Sequence, residues 1–302
     1  MKVILAVDQS RDAKAAARFL EAVRLPRGAA LAIVHVIEIP HVAIRFSGQQ
    51  IMLADWRKEA AADARRLIDQ LVPPFRAQGL RVRPLVQEGL PGPVLLNTVE
   101  RTRADLIVLG SHGYSRLMRF LLGSVSEFLL SEVPASVLIV RGRPRGRQDR
   151  GMRVVLAMDF SKDAKGAMGF LSKLRLPRAS RVMLLHVEER ADRVRAHISG
   201  MGRVDLSQPV EQAMRERKRR TLLMLEQMGR RFRQRGIAVD QVFADGAPAE
   251  EILRVAERHR ADLIVMGSKG LTGLDRYLLG SVSRRIARHA TCSVLVVRRT
   301  RR

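Results

Sequence analysis

Cysteine is almost missing: Cys292 is the only one in 302 residues. That rules out an intramolecular disulfide framework and a metal site built from several thiolates. Aromatic residues are scarce too, with one tryptophan, two tyrosines and nine phenylalanines. They are little interleaved with basic residues, so the stacking platform of a single-strand nucleic-acid binder is absent. No apolar run approaches the roughly 20 residues of a membrane-spanning helix. Met1–Asp8 has only five residues between Lys2 and Asp8, too few for a signal-peptide core. Lysine supplies eight of the 55 basic residues; arginine supplies the rest. The composition, 46% hydrophobic and 28% charged, is that of a globular chain. Together these features point to a cytoplasmic protein with no membrane partner.

Against 30 acidic residues, the basic excess gives a formal charge of +25. Such a chain attracts polyanions, including nucleotides and nucleic acids. An arginine-favouring bias spread over the whole surface gives the same count with no functional content. Both readings stay open on composition alone.

The chain is a sequence written twice. Lys2–Asp8 returns as Arg153–Asp159, 151 positions later. Ala104–Gly113 returns as Ala261–Gly270, 157 positions later, with eight of ten residues identical. The six extra residues fall between the His35/His186 and Gly79/Gly236 pairs, and the polar tract Arg190–Pro209 is the natural place. So long a period makes each copy a whole domain. Arg141–Arg150 contains no hydrophobic residue and reads as a linker. The expected division is residues 1–141, a basic linker over 142–151, and residues 152–302.

Within each copy, strand and helix signals alternate. Val3–Val7 is a continuous apolar run, the pattern of a strand buried on both faces. Ser10 can cap the next helix, whose apolar stripe is Ala16, Phe19, Leu20 and Val23, repeated as Ala167, Phe170, Leu171 and Leu174. Second strands are expected at Leu31–Ile37 and Val182–Val187. A long helix follows, ended near Pro73-Pro74 in the first copy and near Gly236 in the second. Then come a strand at Arg81–Val86, a helix at Val94–Arg101, a strand at Leu106–Leu109, a helix around Val125–Leu130 and a strand at Val137–Val140. This order predicts a doubly wound α/β domain, twice, with ligands at the carboxyl ends of parallel strands.

Directly after the fourth strand stands Gly110-Ser-His-Gly113, then nine residues, then Gly123-Ser124 opening a helix. The second copy has Gly267-Ser-Lys-Gly270, nine residues, then Gly280-Ser281. Glycine permits close backbone approach to a ligand and positive φ. A helix N-terminus offers unpaired N–H groups and a positive dipole end to phosphate. The same residues can be read as turn glycines with an N-cap serine. Recurrence of the full spacing between strand and helix favours the phosphate cradle. No P-loop motif is present, and Asp8-Gln-Ser10 stands where a dinucleotide fingerprint would begin.

The pattern Gly-x2-Gly-x9-Gly-Ser, with Asp8/Asp159 ending the first strand and His35-Val36/His186-Val187 ending the second, resembles the ATP-binding branch of the universal stress protein family. The resemblance implies a five-stranded parallel sheet per domain, with ATP, alone or with Mg, between strands one and four. It places Asp8 and Val36 at the adenine side, Leu109 and Gly110 along the ribose, and Gly113, Gly123, Ser124 and Val125 at the phosphates. The matching set is Asp159, Val187, Met266, Gly267, Gly270, Gly280, Ser281 and Val282. It also implies a homodimer or a dimer fused into one chain. ATP would order the Gly113–Gly123 loop and alter the surface shown to a regulatory partner. The function so implied is nucleotide-responsive regulation or protection under stress.

Other residues read two ways. Arg119 and Arg276 are either phosphate forks or solvated loop arginines, and Lys269, twin of His112, shares that ambiguity. His35 and His186 read as packed, hydrogen-bonded histidines, and Cys292, twin of Ala135, as a buried small hydrophobe. Arg215–Arg220 and Arg230–Arg235 form a basic helical stretch, a solvated face or a polyanion contact. No general base is placed by sequence, so turnover is not expected, although a phosphate cradle is compatible with slow ATP hydrolysis. A nucleic-acid binder and a ligand-free scaffold of the same fold are the alternatives.

Overall fold

The computed structural model describes residues 1–38, 50–112, 122–142, 151–189, 207–270 and 279–298. The first half runs β1 (Lys2–Ala6), α1 (Arg11–Val23), β2 (Ala30–Ile37), α2 (Gln50–Ala77), β3 (Arg81–Glu88), α3 (Pro91–Thr102), β4 (Leu106–Gly110), α4 (Ser124–Glu132) and β5 (Ser136–Val140). The second runs β6 (Arg153–Ala157), α5 (Lys162–Lys173), β7 (Arg181–Glu188), α6 (Ser207–Arg233), β8 (Ala238–Asp245), α7 (Pro248–Arg258), β9 (Leu263–Gly267), α8 (Ser281–His289) and β10 (Ser293–Val297). Among the described residues no helix is long and apolar enough to cross a membrane.

The inner strands are largely apolar because both faces are covered. Along β1, Val3 and Leu5 enter one core with α1 and α2, while Ile4 enters the opposite core with α3 and α4. Helix α1 begins where its sequence signal says: Ser10 Oγ accepts from Ala13 N at 3.1 Å, and Ser161 repeats this for Ala164. The stripe Ala16, Phe19, Leu20 and Val23 is fully buried.

One expectation fails at Pro73-Pro74. Helix α2 continues through both prolines to Ala77. Phe75, 2% exposed, is locked into the core, as is its twin Phe232. Burial of that ring holds the last turn despite the missing backbone donors.

Each half has the strand order 3-2-1-4-5, all parallel, and the two halves join into one sheet: β3-β2-β1-β4-β5-β10-β9-β6-β7-β8. The junction is antiparallel, with Leu138 opposite its own twin Leu295. A pseudo-two-fold axis therefore passes between these leucines, perpendicular to the sheet.

Two twin arginines bind the junction. Arg141 Nη2 donates to the carbonyls of Ala287 (2.6 Å) and Arg288 (3.3 Å), in the last turn of α8. Arg298 Nη2 donates to Leu130 (2.7 Å) and Ser131 (3.1 Å), in the last turn of α4. Their backbone N–H groups donate to Ser293 Oγ and Ser136 Oγ, each at 3.2 Å. Each half thus supplies a cation to the negative dipole end and unpaired carbonyls of the other half's last helix. Burial lowers both guanidinium pKa values, yet arginine stays charged at neutral pH. Arg141, the first residue of the run that reads as a linker, is an interface residue. On the other face of the sheet, Arg175 N–H donates to the carbonyl of its twin Arg24 at 2.9 Å.

Arg141→Met and Arg298→Met should each lower stability by about 1–3 kcal/mol, because buried carbonyls lose their donors. The readout is the urea midpoint; a midpoint unchanged in both variants would refute the role given to the pair.

Candidate functional site

Strand β1 lies between β2 and β4, and β6 between β7 and β9. The helix after β1 covers one face of the sheet and the helix before β4 covers the other. The connections leaving β1 and β4 therefore diverge, and a crevice opens at the carboxyl end of the pair.

Backbone packing sets the shape of that crevice. A Cβ on Gly110 would stand 2.7 Å from Asp12 Cβ and 2.8 Å from its carbonyl carbon. On Gly267 it would stand 2.8 Å from both equivalent atoms of Asp163. Close packing against the first turn of α1 or α5 therefore requires glycine at this position. Positive φ is not the reason: Gly123 and Gly280 have φ −63° and −62°, and Gly110, Gly267 and Gly270 lie outside the left-handed region.

Side chains then hold the two walls together. Asp12 Oδ2 accepts from Ser111 Oγ (3.0 Å) and His112 N (3.2 Å), and Asp163 Oδ2 accepts from Ser268 Oγ (3.2 Å). Gly123 N donates to Ser111 O and Gly280 N to Ser268 O, both at 2.9 Å. Ser126 Oγ donates to Gly110 O and Ser283 Oγ to Gly267 O, again at 2.9 Å. The N-terminus of α4 or α8 is thereby fixed beside the strand exit.

The N-cap of these helices is the glycine, with no side-chain cap; the serine is the first helical residue. The alternative of an N-cap serine is therefore corrected, and the hydroxyls of exposed Ser124 and Ser281 are not used for capping. Gly280 O takes the N–H of Arg284 at 3.0 Å, so Ser281, Val282 and Ser283 have no intrahelical acceptor.

In the second half these walls enclose a cavity of about 360 Å³. Asp159, Val187, Met266, Gly267, Gly270, Gly280, Ser281 and Val282 all border it. Lys269 also borders it, which places that ambiguous residue inside the crevice. In the first half, Asp8 follows β1, Val36 lies in β2, Leu109 and Gly110 end β4, and Gly123, Ser124 and Val125 open α4. Gly113, Arg119 and Arg276 lie outside the described residues, as does most of the Gly113–Gly123 loop.

Part of the cavity wall was not legible beforehand. Pro248 and Ile252 of α7 and Met158 after β6 supply apolar surface. A signal exists in the sequence: Gly89-Leu-Pro91 recurs as Gly246-Ala-Pro248, with Gly89 and Gly246 at φ 132° and 149°. That turn aims α3 and α7 at the crevice.

Asp8 and Asp159 each accept a backbone N–H two residues on, from Ser10 and Ser161, at 3.0 Å. Asp159 Oδ2 also lies under Gly270, where a Cβ would stand 3.0 Å from it. Among the described residues no cluster of three or more histidine, cysteine or carboxylate groups could hold a metal.

The two histidines differ. His186 Nδ1 donates to Met158 O at 2.7 Å, and its ring lies between Phe160 and Phe243, with centroids 5.0 and 5.9 Å away. His35 Nδ1 is buried without a hydrogen-bond partner. Burial pushes its pKa below 6.5, opposed by the Val7 carbonyl and the Asp8 carboxylate. The carbonyl is near enough to favour the charged form but does not close a bond. The expectation of a hydrogen-bonded histidine holds for His186 and not for His35. Cys292 is half-buried, where full burial was expected, and desolvation raises its thiol to about 11.

The Universal stress protein family matches this chain twice, over residues 1–141 and 152–298. The chain belongs to the universal stress protein family. A universal stress protein of Mycolicibacterium smegmatis is 27% identical over 298 residues, 98% of this chain and 96% of that protein. Universal stress protein YxiE of Bacillus subtilis is 30% identical over 146 residues, 48% of this chain and 98% of that relative. The crystal structure of a universal stress protein from Archaeoglobus fulgidus superposes with a TM-score of 0.62 at 22% identity, covering 99% of this chain and 98% of that one. This last likeness concerns the fold, including its tandem organisation.

Gly267→Ala should destabilise the protein by about 1–3 kcal/mol, because its new methyl meets backbone that cannot move aside. A thermal midpoint equal to that of the native protein would contradict the close-packing account. For His35, the unfolded chain takes up a proton near pH 6.5 while the fold still resists it. Stability is therefore complete above about pH 6.5 and is lost as the pH falls below it. The drop in thermal midpoint between neutral and mildly acidic pH should be smaller in His35→Gln than in the native protein. Equal drops would refute it.

Proposed function

We propose that this universal stress protein binds an adenine nucleotide, ATP, in the crevice between strands one and four, and that it acts as a nucleotide-responsive regulatory or protective protein. One observation carries the reading: the eight second-copy residues that the family resemblance implies all line a single cavity. Its volume, about 360 Å³, lies within the ~300–1,000 Å³ of small-molecule sites. Its lining includes the apolar side chains of Met158, Leu185, Val187, Pro248 and Ile252, which suit a base. It also includes the N-terminus of α8 with Gly270, Lys269 and Ser281, which suits phosphates. The triphosphate is held by backbone amides, a hydroxyl and one ammonium rather than by a P-loop.

Magnesium fits as a companion of the phosphates, not as a protein-held ion. Asp159 is the one carboxylate among the lining residues, and Mg²⁺ usually keeps several waters beside substrate phosphates and one or two carboxylates.

The test is to denature the purified protein, identify any released nucleotide, and then measure ATP binding by calorimetry on the emptied protein. Gly280→Val places a branched side chain at the cavity rim, where even a Cβ stands 3.2 Å from Ser268 O. It should weaken ATP binding by about tenfold or more, equivalent to ~1.4 kcal/mol. Neither co-purified nucleotide nor measurable ATP binding by the native protein would end this reading in favour of a ligand-free scaffold. Gly123→Val reports separately on the first half.

A further inference from the structure

Helix α6 carries a feature unconnected with the crevice. Its buried stripe is Thr221, Leu225, Gly229 and Phe232, but the ten residues before it, 211–220, are exposed on every side of the helix. Only long side chains reach back to the body. Arg217 pairs with Glu188 at 2.6 Å, and Lys218 Nζ lies 5.5 Å above the Phe243 ring. The helix therefore projects past the carboxyl ends of β7 and β8.

The first half provides an internal control. Residues 54–63 of α2 occupy the same place, and Trp56 and 60–63 are partly covered there. That segment carries two basic and three acidic residues, whereas 211–220 carries five basic and two acidic. The asymmetry is general: residues 1–141 hold 19 basic and 13 acidic residues, and residues 152–302 hold 32 and 16. A bias acting on the whole chain does not predict this concentration in one copy.

We propose that residues 211–220 of α6 are a docking element for double-stranded DNA, laid in the major groove against its phosphates. Ten helical residues span about 15 Å, and a helix about 10–12 Å across fits a groove about 12 Å wide. Exposure on all faces suits a groove with phosphates on both sides. Arg215 and Arg220, with side chains 78% and 74% exposed, pair with Glu211 and Glu216 along the helix itself and stay open to solvent. Met214 is the only large apolar residue in the segment, so the apolar face that anchors a helix in a bilayer interface is missing. The A-form major groove of RNA is too narrow for it, and a single strand would need aromatic platforms the chain lacks.

The test is anisotropy of a labelled mixed-sequence duplex, titrated with the full chain over roughly 50–200 mM salt. The native protein should bind with a steep salt dependence. The combined variant Arg215→Gln, Arg219→Gln, Arg220→Gln should bind at least about tenfold more weakly, with a salt slope smaller by about three. Arg57→Gln with Lys58→Gln in α2 should change neither. In the unaltered protein, duplex DNA should slow tryptic cleavage within 215–220. The proposal is overturned by equal weakening in both variants, by unchanged cleavage, or by binding to phosphatidylserine vesicles without binding to DNA. Loss of ATP binding leaves these outcomes untouched, so the two readings fail separately.

Discussion

Where β4 ends, its backbone lies so close to the first turn of α1 that no side chain fits between them, and β9 meets α5 in the same way. This contact sets the depth of the crevice. Gly110 and Gly267 allow the approach, and Asp12 and Asp163 secure it through Ser111 and Ser268. The last helix of each half is then attached to the same strand exit by Ser126 or Ser283. The N–H groups opening α8 therefore face a cavity whose floor is rigid backbone. Such a floor costs little reorganisation when a charged group arrives, which is how fixed dipoles favour an anion over water.

Much of this was legible in the sequence. Element order, strand positions and the tandem repeat follow from apolar runs alternating with 3.6-period stripes, and terminal errors were one to three residues. Two misreadings share a cause, namely tertiary packing that local signals do not encode. Pro73-Pro74 reads as a stop, but Phe75 beyond it is held by the core. Arg141 reads as linker, but the partner it caps belongs to the other half of the chain. The glycine of the strand exit reads as a ligand contact, and the structure adds a packing contact with the next helix that the motif does not announce. The glycines and serine of the crevice stand out because their spacing is local, and the family resemblance implies the rest. Pro248 and Ile252 were missed because they come from a distant helix aimed by a turn.

The duplicated halves are alike in frame and different in dress. His112 is held by Asp12 through its backbone, whereas its twin Lys269 borders the cavity. His35 and His186 occupy one framework position, yet only His186 is flanked by two phenylalanines and bonded to a carbonyl. Helices α2 and α6 share a core face and differ in charge where they leave it. Because β5 and β10 run antiparallel, the carboxyl ends of the two sets of strands point in opposite directions. The two crevices thus open at opposite rims of the sheet, and their differences are presented to separate surroundings.

Fusing two copies through β5 and β10 also removes the edges those strands would otherwise offer. Among the described residues, the end strands of the sheet are β3 on one side and β8 on the other. On β3, Pro84 lacks a backbone donor, and Arg81 and Arg83 flank it. On β8, Asp240 is engaged by Arg181 at 3.0 Å. Both rims carry the charge or proline that discourages another strand from annealing. The strand pairing that two separate copies would make between molecules is made here within one chain.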